Sequence, residues 1–296
     1  MEELDLNPRI VNALLKALDL LNGNCLSKFT KCKLGIGCPI LDEFLHGGVL
    51  SQGLTEITGE SATGKTQLCL QLCLNVQMRV EDGGLDSGAV YVCTEDVFPS
   101  RRLQQLIATF HIRHQIDKAK QCALGEKIFV EHVAEKDQLE HCISHRIPIL
   151  LEKGLVKLIV IDSVAALFRS EFEAHEAFQR AKSLQRFGAQ LHQLANKHNI
   201  PVICVNQVTA NINTQSSSEN SFKPALGLAW SNQVQTRLML KRMPYKLPAT
   251  SHSSESSDVP NTYEIPVRAL EVVFSPHLPR DTAYFVVDAN GVKGLK

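Results

Sequence analysis

Residues 59–66 read G-E-S-A-T-G-K-T and fill every fixed position of G-x-x-x-x-G-K-[ST], the pattern of a loop that wraps the phosphates of a nucleotide. Gly59 and Gly64 let successive backbone N–H groups turn inward across Glu60, Ser61, Ala62 and Thr63. Lys65 supplies a charge for the β- and γ-phosphates, and the Thr66 hydroxyl is a ligand for Mg²⁺. Residues 54–58 read as a strand feeding this loop. Residues 67–78, from Gln67 onward, read as an apolar helix whose N-terminus favours an anion. Nucleoside triphosphate and Mg²⁺ are therefore the expected ligands.

Three strand ends supply the rest of the chemistry. Leu158-Ile159-Val160-Ile161-Asp162 is an apolar run that ends in a carboxylate, the arrangement that holds a Mg²⁺ water shell beside Thr66. Tyr91-Val92-Cys93-Thr94-Glu95 ends in a second carboxylate, Glu95, placed to polarise the water that attacks a γ-phosphate. Val202-Ile203-Cys204-Val205-Asn206-Gln207 ends in an amide, and Gln207 can sense the γ-phosphate and signal to the polar loop that follows.

These residues need a scaffold that brings strand ends together. Strands at 54–58, 89–94, 127–130, 157–162 and 201–206 alternate with helices, the rhythm of a doubly wound parallel sheet whose ligands sit at the carboxyl ends. Strands near 237–240, 270–274 and 283–287 have short connections and read as an antiparallel addition at the edge. Residues 209–223 and 244–261 are polar and serine-rich and read as mobile loops. Ahead of the sheet, Asn7 and Pro8 open a helix with a stripe of Ile10, Leu14, Leu18 and Leu21. Residues 22–33 read as a linker.

At 296 residues and 44% hydrophobic, the chain can bury one large α/β core. Its formal net charge is zero, so a nucleic-acid site must be a local feature. No apolar run approaches the roughly 20 residues that span a bilayer, and the acidic start M-E-E-L-D is unlike a secretory signal, so the expectation is a soluble intracellular protein. The nine cysteines include no C-x-x-C pair and read as buried reduced thiols. His141 and His145 have the spacing of helical metal ligands, yet no carboxylate or cysteine nearby completes a site with them, so a solvated helix face is expected.

Together these stretches resemble the RecA-type recombinases of eukaryotes and archaea. The carriers are G-E-S-A-T-G-K-T, Y-V-C-T-E-D-V-F-P-S-R-R-L, L-I-V-I-D-S-V-A-A-L-F-R and V-I-C-V-N-Q-V, preceded by L-G-I-G-C-P-I-L-D-E-F-L-H-G-G-V. The resemblance implies a RecA-like P-loop ATPase core over 34–296, with a mostly parallel central sheet and antiparallel strands at the C-terminal edge. A short N-terminal helix and linker over 1–33 would dock a partner. ATP and Mg²⁺ would be held by Gly59, Gly64, Lys65, Thr66 and Asp162, with Glu95 orienting water and Gln207 sensing the γ-phosphate. Arg102 occupies the position that stacks on adenine in that family. Two loops, about 169–180 and 209–223, would face single-stranded DNA with Arg169, Arg180 and Lys223.

The chain also departs from the strand-exchanging members. The first loop carries Glu171, Glu173 and Glu176 against Arg169 and Arg180, an acidic balance that opposes phosphate contact. Lys223 is offset by Glu219 in the second loop, and Phe274 stands where the recombinases have an aspartate. The linker reads Phe29-Thr30-Lys31-Cys32 in place of Phe-x-x-Ala, and the extension is shorter than a complete helical N-terminal domain. The expectation is a specialised paralogue: an ATP-binding, weakly hydrolysing subunit of a hetero-oligomer with another paralogue. It would act on single-stranded or junction DNA in homologous recombination repair, in the nucleus and cytoplasm, with the recombinase filament as client. The alternatives are an autonomous strand-exchange recombinase that forms filaments, which would want basic DNA loops, and a P-loop small-molecule kinase, which would want an arginine-rich lid. A third is a scaffold that keeps nucleotide only as a structural element, which the intact Lys65, Thr66, Glu95 and Asp162 oppose.

Overall fold

The computed structural model describes residues 33–114, 123–170, 176–210, 222–251 and 261–296. The expected N-terminal helix, nearly all of the expected linker, Glu171, Glu173, most of 209–223 and residues 252–260 lie outside the described residues. Lys33–Lys296 forms one unit.

The strand signals resolve into β1 (Leu54–Gly59), β2 (Gly88–Cys93), β3 (Ile128–His132), β4 (Val156–Asp162), β5 (Val202–Asn206), β6 (Thr236–Ser251), β7 (Asn261–Phe274), β8 (Thr282–Asp288) and β9 (Gly291–Leu295). Among the described residues they make a nine-stranded sheet in the order β9-β8-β7-β6-β1-β5-β4-β2-β3. From β3 to β6 every neighbouring pair is parallel, and β7, β8 and β9 add on antiparallel. The chain leaves β1, crosses over β5 and β4, and enters β2. The carboxyl ends of β1, β2, β4 and β5 consequently open on one edge of the sheet, where such folds bind ligands.

The inner strands are buried at almost every position, and mostly apolar, because both faces are covered. On β4, Leu158 and Val160 point into one core with Leu68 and Leu72 of helix α1 (Lys65–Asn75) and Leu103 and Phe110 of α2 (Ser100–Arg113). Ile159 and Ile161 point into the other, with Leu184, Phe187 and Leu191 of α3 (Ala177–His198). All four β4 side chains are fully buried. At about 1.5–3 kcal/mol for each such side chain, this double burial overrides any alternating pattern.

Two sequence readings need correction. Residues 244–251 are not a loop: β6 runs on to Ser251 and pairs with β7, with Leu247 opposite Ile265 and Ala249 opposite Tyr263. Its parallel pairing with β1 covers only Thr236 to Leu240. Beyond that the other edge of β6 is free of β1, so Pro244 and Pro248 cost no ladder bond there. The second correction is β9, which closes the sheet as a hairpin with β8 through Asp288 opposite Gly291. Gly291 turns with φ of 107° against Gln71, close enough that a Cβ would meet Oε1 at 2.5 Å.

His141 and His145 stack with ring centroids 4.5 Å apart. Among the described residues no cluster of His, Cys, Asp and Glu could hold a metal ion. The described cysteines Cys38, Cys69, Cys73, Cys93, Cys142 and Cys204 are free and buried, and burial raises the Cys93 and Cys142 thiols to about 12. No described helix is long and apolar enough to cross a membrane.

Candidate nucleotide site and its sensor

The loop after β1 has the backbone its sequence requires. Gly64 caps α1 with φ of 103°, a conformation that favours glycine. At Gly59 a Cβ would lie 2.3 Å from the Leu240 carbonyl oxygen of β6, so only glycine lets the two backbones pass. The Thr63 hydroxyl donates to the Glu60 carbonyl at 2.9 Å. Lys65 Nζ donates to the carbonyls of Gly59 at 2.9 Å and Glu60 at 2.7 Å, which holds the ammonium over the cradle. Burial pulls the Lys65 pKa below its ordinary value, opposed in part by the nearby charge of Asp162.

Thr66 and Asp162, the two residues expected to hold Mg²⁺, meet. Thr66 Oγ1 donates to Asp162 Oδ2 at 2.9 Å, which joins the first turn of α1 to the end of β4. The Tyr91 hydroxyl donates to the same oxygen at 2.6 Å. Burial is the largest cause that raises the Tyr91 pKa well above its usual value, so it stays a donor. A hydroxyl beside a carboxylate, with further positions open to phosphate and water, suits Mg²⁺. Thr66 and Asp162 would hold the ion, which would supply charge for the phosphate oxygens. Tyr91 was not singled out from the sequence; its signal was a hydroxyl within an otherwise aliphatic strand.

Arg102 lies on α2 at the other end of the cavity. Its Nε donates to Gln67 Oε1 at 2.7 Å and its Nη2 to the Asp288 carbonyl at 2.6 Å. The guanidinium is thereby laid between the phosphate-loop helix and the β8–β9 turn. Burial lowers its pKa, with Asp288 opposing. One cavity of about 750 Å³ is lined by loop residues together with Gln67, Glu95, Arg102, Asp162 and Gln207, so the structure gathers the catalytic, phosphate and adenine-end candidates at one place.

Glu95 and Gln207 touch. Gln207 Nε2 donates to Glu95 Oε1 at 2.6 Å, and Ser163 Oγ donates to Glu95 Oε2 at 3.2 Å. Thr94 fastens the same corner through Ser163, whose N–H donates to Thr94 Oγ1 at 2.8 Å. Behind Gln207, Asn206 Nδ2 donates to Glu56 Oε1 at 2.7 Å and to the Ala225 carbonyl at 3.0 Å. The Ala225 N–H returns to the Gln207 carbonyl at 2.8 Å. Both ends of the second loop are thus tied to the sensor strand, and Val208–Ala210 pairs with Phe222–Pro224 across its base.

Glu56, fully buried on β1, also accepts from Trp230 Nε1 at 2.8 Å and pairs with Arg237. Arg237 lies over the Phe274 ring, 4.9 Å from its centroid, which gives that phenylalanine a packing role within this chain. Of the expected DNA-facing residues, Arg180 sits half-buried in the first turn of α3 and Lys223 is exposed opposite Thr209. The side chain of Arg169 lies outside the described residues. Arg180 and Lys223 are not part of the nucleotide cavity.

The Rad51 family profile matches residues 28–249. DNA repair protein XRCC3 of Mus musculus is 43% identical over 276 residues, which covers 89% of this chain and 75% of that protein. The Bos taurus protein of the same name is 44% identical over 272 residues, with coverage of 89% and 75%. The XRCC3 homolog of Arabidopsis thaliana is 35% identical over 287 residues, with coverage of 89% and 93%. These relatives agree with L-D-L-N-P-R-I, G-G-L-D-S-G-A-V-Y-V-C-T-E-D and S-P-H-L-P read as the pattern of X-ray repair cross-complementing protein three. With a family match over most of its length, and with the G-x-x-x-x-G-K-T loop, Asp162 and Gln207 on adjoining strand ends, the chain belongs to the Rad51 family.

Proposed function

We propose that this chain is an ATP-binding, weakly hydrolysing subunit of a recombinase-paralogue complex that acts on single-stranded or junction DNA in homologous recombination repair of double-strand breaks. The observation that carries this reading is the junction of Thr66 with Asp162 and of Gln207 with Glu95 around one cavity. The names of the relatives, DNA repair proteins throughout, support the repair setting.

The hydrogen bonds of the sensor corner support slow turnover. A water aimed by Glu95 at a γ-phosphate must displace or share Gln207 on one carboxylate oxygen, while Ser163 occupies the other. Binding of ATP is then a separate event from hydrolysis, and the ends of the second loop register which state the cavity is in. The partner is another paralogue, the client is the recombinase filament, and the site of action is the nucleus.

Light scattering of the purified chain with Mg·ATP and a single-stranded oligonucleotide, with and without a paralogue partner, tests the reading. A monomer or small oligomer alone, and a defined complex with partner, is expected. Growth into a long assembly without partner would replace it with the autonomous recombinase.

A further inference from the structure

The cavity holds a cation that the sequence reading did not single out. Arg268 on β7 lines it beside the phosphate loop, and the aliphatic part of its side chain passes under Gly64, where an added Cβ would meet its Cδ at 3.6 Å. In the β6–β7 ladder Arg268 stands directly opposite Arg242, and like charges in that position destabilise a sheet. Glu60 of the phosphate loop offsets one of the two by pairing with Arg242 at 3.3 Å. Arg268 has no carboxylate partner among the described residues. Its Nη1 donates to the Pro266 carbonyl at 3.1 Å, and its Nε is buried without a partner.

We propose that Arg268 is a polyphosphate-binding residue of this site, which contacts the phosphate chain of the bound nucleotide from the β7 side. A guanidinium presents a planar fork of donors that matches phosphate oxygens. A half-buried one, facing a second arginine and lacking an acid, sits where an anion would relieve both its desolvation and its repulsion. Burial also lowers the Arg268 pKa. The other cations lining the cavity are engaged: Lys65 by two carbonyls and Arg102 by Gln67 and Asp288. The inference rests on the nucleotide reading of the cavity and adds a ligand from outside the phosphate-loop motif.

ATP affinity of the full chain, measured for the wild type, Arg268→Gln, Arg268→Lys and Lys65→Ala beside their melting temperatures, tests it. Arg268→Gln should weaken ATP binding by about tenfold at an unaltered melting temperature, and Arg268→Lys should recover part of the loss by keeping the charge without the fork. Unchanged affinity in Arg268→Gln, with Lys65→Ala defective, overturns the role of Arg268 alone. Unchanged affinity in Lys65→Ala overturns the nucleotide reading itself. If Arg268→Gln does not fold, phenylglyoxal labelling of the wild type decides: ATP should protect Arg268, and equal labelling with and without ATP rejects the contact.

Discussion

The two corners of the cavity are built differently. At the corner of the expected metal ligands, half-buried Asp162 ends a strand whose Leu158 to Ile161 are fully buried and accepts from Thr66 and from the buried Tyr91, so the backing strand and two hydroxyls fix its position. At the sensor corner, Glu95 is exposed beyond the end of β2 and is held only by side-chain bonds from Gln207 and Ser163. The first corner is preorganised and suits tight binding. The second can rearrange by exchanging a few hydrogen bonds, which suits sensing. On the function proposed above, affinity would belong to one half of the site and signalling to the other.

The largest effect tests what stands behind the sensor. Glu56 is buried with Arg237, Trp230 and Asn206 as partners. Removing one partner of a buried ion pair leaves an uncompensated charge. Glu56→Ala should therefore destabilise the chain by about 3–5 kcal/mol, visible as a lowered denaturant midpoint. A loss under about 1 kcal/mol would mean that water already reaches Arg237, and the sensor strand would then lack the rigid backing described above.

Next comes the binding half. Lys65→Ala removes the one side-chain cation of the loop motif and should weaken ATP retention by about a hundredfold, the value of one or two charge-assisted hydrogen bonds. Filter retention of labelled ATP measures it. Smaller but still on the metal corner, Tyr91→Phe keeps the ring and deletes the donor to Asp162. It should cost about 1.5 kcal/mol of stability and raise the Mg²⁺ needed for half-maximal ATP retention by about tenfold, as loss of a group that orients a metal ligand does. An unaltered Mg²⁺ midpoint would show that Thr66 alone positions Asp162.

The difference between the corners also explains what the sequence disclosed. Phosphate-loop chemistry depends on backbone shape, and backbone shape restricts residue type, so Gly59, Gly64, Lys65 and Thr66 were legible as a string. Asp162 and Gln207 were legible because buried parallel strands leave an apolar run that stops at a polar end. Tyr91 and Arg268 were hidden, since each acts across strands through a pairing that only the sheet order creates. Residues 244–251 misled for the opposite reason: their prolines and small polar residues look like a loop, and nothing local shows that the edge beside them is free. Glu56 was hidden as well, because a lone acid within a strand carries no mark of the arginine that meets it from β6.

The smallest expected change in affinity belongs to Gln207, and it separates the two halves most cleanly. Its amide touches Glu95, and its carbonyl receives the Ala225 N–H at the far end of the second loop. Gln207→Ala keeps the second contact, which is made by backbone, and deletes the first. ATP affinity should stay within about threefold of wild type, since the exposed, charge-assisted bond that is deleted runs to Glu95 rather than to the nucleotide and the phosphate loop is untouched. Turnover should change in form: freed from its competitor on Oε1, Glu95 is open to water, so basal hydrolysis should rise while its response to single-stranded DNA falls. Steady-state ATPase assays with and without oligonucleotide, in the presence of the paralogue partner, read both quantities. A parallel fall in affinity and basal rate would instead place Gln207 in the binding half and dissolve the distinction between the corners. Retained DNA stimulation would send the search for the signal to Asn206, which still ties Glu56 to the loop.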